Sequence, residues 1–139
     1  MRRYGGSARR RHWWRQDRGE ASIQMAIVFP AVLLLTVAVV QAGLWFVARG
    51  IALTAAREGL SAARTYQATP GEGTARAREV LERTSGDLLQ ATTVRTTAIG
   101  GRVRVQVSGR VLSMLPGIDG LQITQSTDGP VERFTSPGD

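Results

Sequence analysis

The sequence predicts an α+β protein: a long N-terminal transmembrane helix, an amphipathic continuation, a second short helix and a small three-stranded antiparallel sheet. Three observations carry that expectation. Residues 21–48 read ASIQMAIVFPAVLLLTVAVVQAGLWFVA, a stretch of 28 residues with no charge. Apolar residues then recur at three-to-four spacing as far as residue 68 and again from 70 to 85. From residue 92 onward the sequence reads as strands, with clean alternation along 102–112, broken by Gly-Gly, Pro-Gly and Asp-Gly.

As a helix the uncharged stretch would be about 42 Å long at about 1.5 Å per residue, more than the roughly 30 Å hydrocarbon core of a bilayer. Its polar side chains are Ser22, Gln24, Thr36 and Gln41. The remaining chain has too little apolar material to coat such a rod as a buried core helix, so a single membrane span, 20–48, is expected. Pro30 interrupts the backbone ladder within it, which membrane helices tolerate where neighbours or water meet the freed carbonyl.

The net charge of +7 is almost wholly a property of one end. Residues 1–18 contain seven arginines and one acid, whereas the rest of the chain holds eleven arginines and ten acids. Residues 1–19 are expected to form a basic cytoplasmic leader, since arginines flanking a span favour the cytoplasmic side. Trp13, Trp14 and Arg18 lie where membrane-interface residues belong. A basic, aromatic nucleic-acid tail is the competing reading; a cytoplasmic flank accounts for both features, and no nucleic-acid partner is expected. A cleavable secretory signal would use Val40-Gln41-Ala42, but the apolar run before it is too long and Leu44-Trp45-Phe46-Val47 continues it.

Beyond the span, residues 49–139 are expected to form an extracytoplasmic domain. In its first helix, 49–68, Ala52, Leu53, Ala56, Leu60 and Ala63 face one way, and Arg57, Glu58, Ser61, Arg64 and Thr65 the other. Thr69-Pro70-Gly71-Glu72 reads as a capping box with proline at the first helical position. It opens a helix, 70–85, with Ala77, Val80, Leu81 and Thr84 on one face, a Glu79–Arg83 pair on the surface and Gly86 as its stop. Strands are expected over 92–99, 102–112 and 121–127, the first two joined at Gly100-Gly101. Val103, Val105, Val107 and Val111 would form the dry face of the second strand, with Arg102, Arg104, Gln106, Ser108 and Arg110 on the wet one. Asp128-Gly129-Pro130 reads as a further turn.

No catalytic residue emerges. The chain has no Cys and one histidine, His12, in the basic tail; its eleven acids are scattered. There is no metal-ligand spacing and no glycine-rich phosphate loop, so no metal, cofactor or enzymatic activity is expected.

The order of basic tail, glycine, apolar helix, amphipathic continuation and small α+β domain is similar to type IV pilin-like precursors. More specifically, Arg18-Gly19-Glu20-Ala21-Ser22-Ile23-Gln24-Met25-Ala26-Ile27-Val28-Phe29-Pro30 resembles the N-terminal signature of the TadE-like family, pseudopilins of the tight-adherence (Flp) pilus machinery. Ala55-Ala56-Arg57-Glu58-Gly59, with Ala62-Ala63-Arg64 just after it, is similar to the segment beyond the membrane helix in that family. The resemblance implies cutting by a prepilin peptidase between Gly19 and Glu20 on the cytoplasmic side. It further implies membrane residence, extraction by a pilus assembly platform, contact with other pilin or pseudopilin subunits, and a role in surface adhesion. The family's glutamate five residues after the glycine is Gln24 here, which bears on assembly more than on processing; Gln24 and Pro30 are the candidate helix-packing positions. The alternatives are an uncleaved single-pass anchor with an extracytoplasmic binding domain, and a secreted binding domain.

Overall fold

In the computed structural model the described residues are 17–65, 67–115 and 117–133. Helix α1, Asp17–Arg64, runs through Pro30 without a break in its assignment. Its length comes from composition: alanine, the best helix former, is its commonest residue, leucine is frequent, and Pro30 is its one proline. Helix α2, Pro70–Thr84, comes next, then strands β1, Leu89–Ile99, β2, Arg102–Val111, and β3, Gln122–Pro130. The strands form an antiparallel meander in the order β1-β2-β3. The architecture is α+β, with a long apolar N-terminal helix, a short second helix and a three-stranded antiparallel sheet.

The chain divides into two units, Met1–Val39 and Val40–Asp139. The second begins inside the uncharged run, nine residues before the expected domain start at 49. In that unit Ala48, Ala52, Ala55, Ala56, Leu60 and Ala63 of α1 join Ala77, Val80 and Leu81 of α2 and the inward valines of the sheet in one core. Alternation in β2 puts Val103, Val105, Val107, Gly109 and Val111 inside. Gly59 and Gly73 let the two helices meet at backbone distance. A Cβ on Gly59 would lie 2.7 Å from the Gly73 carbonyl oxygen, and one on Gly73 would lie 2.6 Å from the Ala63 Cβ.

Several local expectations are corrected. Thr69 occupies the N-cap with an extended backbone but makes no side-chain cap bond; instead its carbonyl accepts from the Glu72 N–H at 3.1 Å. Thr84 is exposed rather than part of the inner face, and its hydroxyl donates to the Val80 carbonyl at 2.6 Å. The inner face is completed at its other end by Gly73. Gly86, at φ +49°, stands directly after the Ser85 cap, where a left-handed residue ends a helix.

Asp128-Gly129-Pro130 is not a turn but the end of β3, paired with Arg104, Val103 and Arg102. Two features allow this. Gly129 has no Cβ where Arg64 lies across it, with Arg64 Cδ 3.2 Å from the position a Cβ would take. Pro130 sits on an edge strand, where a missing donor is tolerated, and its carbonyl accepts from Arg64 Nε at 2.8 Å.

Candidate functional site

The candidate site is α1, because one helix performs two physical tasks. From residue 22 to 39 every residue is exposed except half-buried Val37. Those exposed side chains include Ile23, Met25, Ile27, Phe29, Leu34 and Leu35, each roughly two-thirds exposed. So large an apolar surface is unfavourable in water, at about 25 cal/mol per Å², and suits lipid. The helix qualifies as a membrane span by length and composition over Ser22–Arg64, and none of its most apolar window is buried. Within it the Thr36 hydroxyl donates to the Val32 carbonyl at 2.9 Å, so this polar group is satisfied inside the helix. Proline has no N–H, so the Ala26 carbonyl lacks its usual partner at Pro30.

Of the residues named from sequence, Arg18, Gly19 and Glu20 lie in the first turn of α1. Gln24 and Pro30 are further along and exposed. Trp13 and Trp14, with the other interface and leader residues up to 16, lie outside the described residues, as does His12.

From Val40 on, the helix changes character. Leu44, Trp45 and Ile51 pack partly against the core, and Ala48 is fully buried. Gln41 holds the loop after β2 with both ends of its amide: Nε2 donates to the Leu112 carbonyl and Oε1 accepts from the Met114 N–H, each at 3.0 Å. From sequence, Gln41 is only a polar residue of the span and part of a rejected cleavage motif. The available signal was a lone amide side chain near the outer end of an otherwise apolar run. Higher up, the Arg49 guanidinium lies over the Trp45 ring, 5.5 Å from its centroid.

The other end of α1 is tied electrostatically and by backbone bonds. Arg76 of α2 reaches Glu58 at 3.2 Å and Glu79 at 3.0 Å. Hydrogen bonds to Glu79 first, then Glu58, hold its guanidinium pKa above the ordinary value. Glu79 also faces Arg83 at 3.7 Å. The Glu132 N–H donates to the Arg64 carbonyl at 3.1 Å, meeting a free carbonyl at the helix end. Among the described residues no group of three or more His, Cys, Asp or Glu side chains could hold a metal.

Comparison with known families finds this same helix: residues 19–60 match the family model described as TadE-like protein. This stretch of α1 resembles that family. The match begins at Gly19, covers the lipid-suited half and most of the domain-covered half, and stops four residues before α1 does. Residues 61–139 lie outside it. Neither the curated proteins nor the solved structures contain a match to the chain.

Proposed function

We propose that this protein is a membrane-anchored pseudopilin, a structural minor component in the assembly of tight-adherence (Flp) pili. The observation that carries the reading is the TadE-like match, which starts at Gly19 and continues through an exposed apolar helix into a helix half built for protein packing. A subunit of this kind needs a helix that can lie in lipid and later among neighbouring helices, and a small domain to carry outside.

In this reading the arginine tail is cytoplasmic, residues 49–139 are extracytoplasmic, and a prepilin peptidase cuts between Gly19 and Glu20. Glycine at the scissile bond admits the backbone closely to a protease cleft. The new helix start then carries Gln24 where family members place a glutamate. An amide accepts hydrogen bonds without the added strength of an ionised group, which is about twofold. Contact with a neighbour's N-terminal ammonium is thereby weakened, which favours a component present in few copies over one packed in long uniform arrays. The partners are the peptidase, the assembly platform and other pilin or pseudopilin subunits.

The test is the N-terminal residue of the mature protein from cells that carry a prepilin peptidase. Glu20 is the expected result, with Gly19→Leu leaving a longer precursor in the membrane. A wild-type chain that keeps Met1 replaces this reading with an uncleaved single-pass anchor carrying an extracytoplasmic binding domain.

A further inference from the structure

Among the described residues, the loop between β2 and β3 leaves several large apolar side chains exposed. Leu112, Met114, Ile118 and Leu121 are 39%, 54%, 58% and 57% exposed. Between Arg110 and Asp119 the sequence has no ionisable residue. An ordinary connecting loop is polar, because it must stay in water; this one is not. It is also held in place rather than trailing. The Val111 N–H donates to the Leu121 carbonyl and the Leu112 N–H to the Leu88 carbonyl, each at 2.9 Å. A Cβ on Gly120 would overlap the Val111 carbonyl, so the two arms of the loop are pressed together.

Its attachment to Gln41 says what it meets. The uncharged run of α1 extends to Ala48, seven residues past Gln41, which is about 10 Å of helix. A run of 28 residues, at about 42 Å, matches the roughly 40–45 Å of a whole bilayer with its headgroups. A loop bonded at the level of Gln41 therefore lies at headgroup or upper acyl depth. Phe46 and Val47, 74% and 52% exposed, continue the apolar surface on the helix just above that level.

We propose that residues 112–115 and 117–121 form a membrane-seated foot, with Met114 and Ile118 dipping into the outer leaflet while Gln41 fixes the loop against the helix that crosses it. This deepens the membrane-anchor reading and rests on it. The foot gives the domain a second point of contact with lipid, and so a set orientation on the bilayer that a single helix would not impose.

The chain contains no cysteine, so single probes can be placed cleanly. The full-length protein is reconstituted in phosphatidylcholine–phosphatidylglycerol vesicles with an environment-sensitive fluorophore on Leu34→Cys, Met114→Cys, Ile118→Cys or Thr97→Cys, one at a time. Lipids brominated at shallow or deep acyl positions serve as quenchers. The expected result is deep quenching at 34, shallow quenching with a blue shift at 114 and 118, and none at 97, toward the other end of the sheet. If 34 is quenched but 114 and 118 remain unquenched with water-like spectra, the foot is wrong and the anchor stands. If 34 is not quenched, the anchor reading itself falls, and the foot with it. If 114 and 118 are shielded from lipid yet exchange energy with a labelled second copy, the loop is an interface between copies and the membrane assignment is overturned.

Discussion

The two halves of α1 share one secondary structure and an apolar character, yet they are built from different side chains. Between residues 22 and 39 the helix presents Ile, Leu, Val and Phe, with no buried residue. Between Val40 and Arg64 its buried positions are Ala48, Ala52, Ala55, Ala56, Gly59, Leu60 and Ala63, nearly all of them small. Hydropathy alone does not separate these halves, but side-chain size does. Lipid chains adapt to bulky side chains, so nothing limits volume in the first half. In the second, a helix and a sheet must approach closely, and each added carbon occupies space already taken. The lesson is that a continuous apolar helix can change solvent partway along, and that the change is marked by alanine and glycine at three-to-four spacing.

The largest effect expected from this difference lies at the helix crossing. Gly73→Leu should destabilise the Val40–Asp139 unit by about 3 kcal/mol or more, at or above the upper end for overpacking, because its Cβ already meets the Ala63 Cβ and the Gly59 carbonyl. Set against a typical total of about 5–15 kcal/mol, that is a large share. Chemical denaturation in mild detergent, monitored by circular dichroism, measures it. Gly50 on the same helix is the control: nothing lies within 4 Å of a Cβ there. Gly50→Ala should be neutral or gain about 0.5–1 kcal/mol from helix propensity. Equal losses at both positions would erase the distinction between a covered and an open face of this half.

A smaller effect should mark the joint itself. Gln41→Leu removes two hydrogen bonds to the 112–114 backbone and should cost about 1–2 kcal/mol, since each is worth about 0.5–1.5 kcal/mol. Amide hydrogen exchange at Met114 should quicken, while exchange at Val105 in the central strand changes only with global stability. Unchanged protection at Met114 would mean that the domain-covered half of α1 begins later than Gln41.

These residues also mark how far the sequence was legible. The α+β class, the element order and the dry face of β2 were readable from periodicity, because a period of two and one of three-to-four leave different traces. The start of β1 at Leu89 was hidden by an irregularity in its pairing between Gln90 and Thr93, with Ala91 at φ +49°. That extra residue sets the buried Leu89 and Val94 an odd number of positions apart, so no alternation runs through both. The end of β3 was hidden because Asp-Gly-Pro is turn chemistry, and only the tertiary placement of Arg64 turns it into a strand. The Gln41 clamp joins residues about seventy positions apart, and no local pattern encodes it. The Gly59–Gly73 contact was hidden for the same reason, although the small-residue face that makes it possible was visible.

The smallest effect belongs to the sheet face turned away from the core, and it tests whether that face is wet, as the lipid half of α1 is not. Arg102 Nη2 reaches Asp128 Oδ2 at 2.6 Å, and Arg104 approaches the other carboxylate oxygen at 3.9 Å. The hydrogen bond from Arg102 is the main cause that holds the Asp128 pKa below the ordinary carboxylate value; desolvation opposes it, and the charges of Arg102 and Arg104 add to it. A carboxylate depressed in the folded state favours folding above its unfolded pKa, which is about 3.9 for Asp, and that contribution disappears as the pH falls through the lower folded value. Stability near neutrality should therefore be flat with respect to this group, with the loss confined below about pH 4. Asp128→Asn should flatten that acid-side slope slightly and leave the neutral-pH midpoint almost unchanged, since exposed ion pairs are screened by water and salt. Urea midpoints of wild type and variant at pH 3, 4 and 7, each at low and high salt, check it. A large loss at pH 7 that persists in high salt would mean that this arginine-bearing face is desolvated by a partner in the sample. The division of the molecule would then need redrawing, with the outer sheet face added to α1 as a packing surface.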